Sequence, residues 1–227
     1  MATALSGHDC TPVLMPTQSR GQGTPARRLI FIASLLICIG CSQTPAPPPL
    51  PKVSPRKAAN EAMALYDAND DGMINADELS RSPALQVAQL SIDVDNDGSI
   101  TAREIATRVR AWRNSTARMM KANPSFYFQG EPLAGATVTL EPAPFLGPNY
   151  PTSTATTDAR GIARFGGHDR RYPGVYVGLY TVRVSKLKDG QETIPAKYNT
   201  QSELAYEASA EQWTNTLFSF YNLEADD

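Results

Sequence analysis

Two twelve-residue runs space their oxygen-bearing side chains alike. Asp67, Asn69, Asp71, Asn75 and Glu78 fill places 1, 3, 5, 9 and 12 of the first run. Asp93, Asp95, Asp97, Thr101 and Glu104 fill the same places of the second. Hard oxygen donors at this spacing suit calcium, which takes roughly six to eight of them. Side chains 1, 3 and 5 wrap one ion, and a Glu at place 12 closes the shell with both oxygens. Place 7 gives its backbone carbonyl, so Met73 and Ser99 complete the donor sets. Gly72 and Gly98, at place 6, permit the sharp turn. Ile74 and Ile100, at place 8, are expected to face a core and to pair through their backbones. The second run has four carboxylates, Asp93, Asp95, Asp97 and Glu104. The first has Asp67, Asp71 and Glu78 with neutral Asn69, so the second is expected to bind more tightly.

The repeated pattern resembles the EF-hand, which implies two helix–loop–helix units and two calcium ions. Helices must hold these loops. Residues 58–66 lack Gly and Pro and enter the first loop. Ser82-Pro83 reads as an N-cap followed by proline at the first helical place. After Glu104, Ile105, Val109 and Trp112 recur at helical spacing, with Arg108, Arg110 and Arg113 expected on the outer side. Only residues 79–92 separate the loops, so the inner helices must be short. Sensors swing helices apart to expose a groove, and short helices leave little room for that. A structural, constitutively loaded site follows, of the extracellular kind that binds at ~10⁻⁴ to 10⁻³ M. A dockerin is also similar in its tandem loops, but Glu rather than Asp closes both loops here and a helix enters the first.

The three cysteines, Cys10, Cys38 and Cys41, all lie in the first fifth of the chain, which leaves the rest without a thiol for a disulfide, a zinc site or a nucleophile. Arg20, Arg27 and Arg28 precede an apolar run from Leu29 to Gly40, as in an export signal. Twelve residues at ~1.5 Å each span ~18 Å, short of a ~30 Å hydrocarbon core. Cys38-Ile39-Gly40-Cys41 resembles the bacterial lipobox, which implies lipidation of Cys41, although Cys38 stands where Leu is usual. An ordinary secretory signal and an uncleaved anchor are the alternatives. Six prolines in residues 42–55 favour a polyproline spacer, expected to make few contacts with the rest of the chain. Three basic residues but one acid, Asp9, precede Cys41, so the remainder is mildly acidic.

Beyond Trp112, Thr, Tyr, Val and Phe dominate, with Gly and Pro turns, which predicts an antiparallel, seven-stranded β-sandwich. The strands expected are residues 125–129, 136–141, 153–157, 162–165, 179–186, 204–208 and 216–223. The runs Gly130-Glu131-Pro132-Leu133-Ala134-Gly135-Ala136, Thr157-Asp158-Ala159-Arg160-Gly161 and Pro173-Gly174, with Gly178-Leu179-Tyr180-Thr181-Val182, resemble the carboxypeptidase regulatory-like, transthyretin-like domain. That resemblance implies turn and packing devices and no catalytic residue.

The expected organisation is therefore a signal peptide (1–40), a proline-rich linker (41–56), an EF-hand pair (57–114), a connector (115–123) and a sandwich (124–227), an α + β multidomain chain. A formal charge of −2 gives no basic footprint for nucleic acid. His168, the one histidine after the signal, has no nucleophile or metal partner near it in sequence, so no enzyme is expected. Phe126, Phe128, Phe218, Phe220 and Tyr221 are read as core, with a sugar- or peptide-binding face as the alternative. The expected partners are calcium, a membrane through the lipid anchor, and an envelope protein or polysaccharide. The expected location is the cell envelope, with the outer membrane preferred because Ser42 rather than Asp follows Cys41.

Overall fold

Ser54 ends the proline-rich stretch and opens the first helix, its hydroxyl accepting the Lys57 amide at 3.4 Å ahead of Pro55. The computed structural model describes residues 49–166, 174–211 and 219–226. The signal segment, Cys41, the first half of the proline-rich stretch (42–48), His168, Phe218 and the start of the expected 216–223 strand lie outside them. No helix among the described residues is long and apolar enough to cross a membrane.

Helix α1 (Pro55–Tyr66) buries the small side chains Ala58, Ala59 and Ala62, so its backbone can come close to a neighbour. It packs on α5 and on a 3₁₀ turn at Pro144–Leu146. The first loop leads through β1 (Met73–Ile74) into α2 (Ala76–Leu79). Then follow α3 (Pro83–Val87), capped by Ser82, and α4 (Gln89–Ile92). The second loop ends in β2 (Ile100–Thr101) and α5 (Ala102–Asn114). The helices between the loops are thus four or five residues each, as the spacing required.

The β-rich part opens with β3 (Met119–Met120), β4 (Ser125–Phe128) and β5 (Glu131–Pro132), then β6 (Thr137–Pro142) and β7 (Ser153–Thr156). It continues with β8 (Val175–Tyr176), β9 (Gly178–Ser185), β10 (Leu187–Lys188), β11 (Gln191–Glu192), β12 (Ala205–Ala208) and β13 (Phe220–Leu223). An antiparallel sheet has the order β12-β9-β6-β7, and a second has β13-β4-β5. β3–β8 and β10–β11 form short ribbons. Val138, Leu140, Val182 and Val184 of the first sheet and Phe126 and Leu223 of the second are buried in one core, which also takes in Ile74, Leu85, Ile100 and Val109 of the helical part. Pro45–Asp227 accordingly forms one compact unit.

The α + β class agrees with the sequence, whereas the sandwich differs from its expected form. β13 pairs with β4 in parallel, so the strands are not all antiparallel. Residues 162–165 alternate in burial but make only isolated bridges, Ser125 to Ile162 and Thr157 to Ala163. The Ile162 carbonyl closes a hairpin on the Asp158 amide, while the Ala163 and Phe165 amides donate to the Pro124 and Ala122 carbonyls ahead of β4. Phe220 is 64% exposed and lies outside the core, stacked on Tyr127 at 4.6 Å. Leu50 and Val53 pack against the core, so the end of the proline-rich stretch does make contacts.

That hairpin is set by Asp158. Its carboxylate accepts the Arg160 and Ile162 amides and an Arg164 guanidinium. Arg164 above all, with the Ile162 amide, lowers its pKa from 3.8 to about 2. A depressed folded pKa means that stability is fully present above 3.8 and is lost as pH falls towards about 2. An Asp158→Asn variant is therefore expected to show a flatter fall in stability across that window, measured by denaturant unfolding at a series of pH values. At Gly161 (φ +75) an added Cβ would lie 2.2 Å from the Phe126 carbonyl oxygen. Gly161→Ala is expected to cost at least about 2 kcal/mol, read as a drop in denaturation midpoint.

Candidate metal centre

The two loops have the same internal wiring. In the first, Asp67 accepts the Asp71 and Gly72 amides at 3.2 and 3.0 Å, and Asp71 accepts the Met73 amide at 2.9 Å. In the second, Asp93 accepts the Asp97 and Gly98 amides at 3.2 and 3.0 Å, and Asp97 accepts that of Ser99 at 2.8 Å. Asp70 and Asn96, at place 4, take positive φ values of 57° and 59°, which short polar residues tolerate. Gly72 and Gly98 follow at 86° and 88°. Nothing lies within 4 Å of a Cβ built there, so backbone conformation and not space calls for glycine.

Each loop closes on its Glu. Glu78 accepts the Ala68 amide at 2.8 Å and the Asn75 amide at 3.0 Å, and Glu104 accepts those of Val94 and Thr101 at 2.9 Å. Asn75 and Thr101 are also N-caps in reciprocal capping boxes with these Glu residues, so the start of each exiting helix orients the closing carboxylate. The loops are joined back to back, with Ile74 opposite Ile100 in the β1–β2 pair and both side chains fully buried.

This arrangement fits calcium. Every candidate donor is an oxygen, and the Asp67, Asp71, Asp93 and Asp97 oxygens that accept an amide keep a further lone pair for an ion. Glu78 Oε1, by contrast, accepts both the Ala68 and Asn69 amides, and Glu104 Oε2 accepts the Thr101 amide and hydroxyl, so each Glu has its other oxygen less engaged. Ligand atoms of Asp93, Asp95 and Asp97 all lie within 4.8 Å of one another. Asp97 first, then burial and the other acids, raises the pKa of Asp95, so these carboxylates repel one another until a cation joins them. Glu78 shifts downward, chiefly through the Asn75 amide.

Beside the second loop the structure corrects the sequence reading. Arg108 is 6% exposed and points inward. It donates from Nε to Glu207 of β12 at 2.9 Å, and also to Ser209 and Glu211. The Ser91 hydroxyl of α4 reaches the other Glu207 oxygen at 3.0 Å. Both helices flanking the loop are thereby tied to one carboxylate of the four-stranded sheet. Burial works against the Arg108 charge, and Glu207 more than offsets it, so the pKa is raised. Arg108 also lies 5.7 Å from the Trp112 ring. It sits between Ile105 and Trp112 at helical spacing, on the buried stripe, which is the one hint in the sequence; Glu207, Ser91 and Ser209 carry none. Arg110 and Arg113 are exposed as expected.

Comparison with known proteins points to the same residues. The EF-hand family model matches residues 60–81 and 91–109. No curated protein matches the chain. Among solved structures, the major pilin subunit of Bacillus cereus aligns with a TM-score of 0.31 and 11% identity, over 48% of this chain and 30% of the pilin. A 9R-lipoxygenase from Cyanothece aligns with a TM-score of 0.23 and 14% identity, over 76% of this chain and 23% of the enzyme. The chain thus spans less than a third of either protein, and neither likeness carries an argument about this one. The family match and the loop geometry together make residues 60–81 and 91–109 a pair of EF hands with the oxygen chemistry of calcium sites.

Proposed function

We propose that this chain is an exported, lipid-anchored protein of the cell envelope that holds two calcium ions and has a structural or adhesive, non-catalytic role. The observation that carries the calcium reading is the back-to-back pairing of two complete oxygen-donor loops through Ile74 and Ile100. Loading at both sites would lock the short helices rather than swing them, in keeping with a site filled wherever calcium is plentiful. Calorimetric titration should show two binding events that vanish in a Glu78→Gln, Glu104→Gln double variant. No binding by the parent would sink the reading. The lipobox-like segment supports acylation at Cys41, with outer-membrane placement preferred; absence of fatty-acid label on the parent, relative to Cys41→Ser, would refute it. The strand patterning and the turn motifs support a transthyretin-like domain.

A second reading is an accessory module for a carbohydrate or protein partner, with calcium fixing the geometry of the β-rich part. The contacts of Arg108 and Ser91 with Glu207 favour it, because they connect the second loop to β12. Calcium-dependent retention on a glycan array or on envelope extract would support this reading, and identical retention in chelator would count against it.

A further inference from the structure

Residues 50–54, at the end of the proline-rich stretch, join Lys57, Arg113 and Arg118 around an open cavity of about 550 Å³. Four cations line it, Lys52, Lys57, Arg113 and Arg118, and its wall contains no acid. All four are exposed, and none makes an ion pair among the described residues. Arg56, Arg81 and Arg110 are also exposed and outside the ion pairs among the described residues, so what distinguishes these four is that they share one cavity. Glu61 is the closest acid by position; it lines an adjoining, smaller hollow with Lys52 and Lys57. The cations come from the segment before α1, its first turn, the end of α5 and the segment beyond. The fold thus gathers like charges that repel one another until an anion enters.

Their position in the chain indicates which anion. Leu50 follows Cys41 by nine residues, a chain length that can reach at most about 32 Å. A basic cluster held that close to a membrane attachment is the arrangement that binds anionic headgroups. We propose that this cavity docks on an anionic membrane, its four cations receiving a phospholipid headgroup phosphate. The proposal rests on the envelope reading but does not require calcium in the loops. Each cation near such a surface strengthens binding by about fivefold.

The test uses the full chain carrying Cys41→Ser, so that acylation cannot mask the contact. Flotation compares phosphatidylcholine vesicles with vesicles of phosphatidylcholine and phosphatidylglycerol. The expected result is a preference for the anionic vesicles that added salt removes. Lys57→Gln with Arg113→Gln should weaken it on the order of twentyfold; both side chains are exposed, so folding is spared. Lys52→Gln with Arg118→Gln, made separately, should repeat the loss. Equal partition of the parent into both vesicles overturns the proposal. So does a preference that survives both double variants, or one that chelator abolishes, which would assign the contact to calcium bridging from the acidic loops. Tight binding of inorganic phosphate without any vesicle preference would assign the cavity to a free anion and overturn the membrane source. Fatty-acid labelling of the parent at Cys41 is read independently, so failure of the anchor and failure of this surface are distinguishable.

Discussion

Glu104→Gln is expected to lower calcium affinity at the second loop on the order of a hundredfold, about 2.7 kcal/mol, while the first loop still binds. The substitution removes one ligating oxygen and a full charge from place 12. It leaves a side chain that still accepts the Thr101 amide, because Gln serves a capping box as Glu does. The helix start is therefore kept, and the loss reports on the metal. Glu78→Gln should mirror this at the first loop. The two sites are not expected to be equal. Asp93, Asp95 and Asp97 crowd three carboxylates within 4.8 Å, and a cation relieves their repulsion, whereas the first loop places neutral Asn69 at the third position. Asp93→Ala should accordingly cost more calcium affinity than Asp67→Ala. Calorimetry on the four single variants settles both points, and equal losses for the two Ala variants would contradict the ranking.

Arg108→Met is expected to destabilise the protein by about 3–5 kcal/mol, because it leaves Glu207 charged, buried and without its main partner. Replacing both members, Arg108→Met with Glu207→Leu, should recover most of that loss, since a buried ion pair contributes little over apolar side chains of similar volume. Denaturant unfolding of the two single variants and the double variant gives the coupling directly. A small effect of Arg108→Met would mean that Glu211 and solvent, rather than Glu207, carry the arginine. Because Ser91 and Arg108 lie on the helices at either end of the second loop, the single variant should also weaken calcium binding there more than at the first loop. Titration at a temperature where the variant remains folded reads this second effect.

The sequence by itself determined the spacing of oxygen-bearing residues in the two loops, the turn glycines, the β1–β2 pairing of Ile74 with Ile100 and the shortness of the inner helices. All of these are local. Ligand spacing, capping residues and the fourteen residues between the loops act over one or two turns of chain, so residue order suffices. The alternating strands at residues 137–142 and 178–185 were legible for the same reason, since burial on one face leaves a period of two. Only the tertiary structure decided what depended on partners far along the chain. Arg108 turns inward because Glu207, 99 residues away, meets it on β12. β13 pairs in parallel with β4, a strand about 95 residues earlier in the chain. The cations at residues 52, 57, 113 and 118 look like scattered surface charge until folding brings them around one cavity. Each of these outcomes is a contact between distant segments, set by which faces meet in the shared core, and no local pattern of residues encodes that meeting.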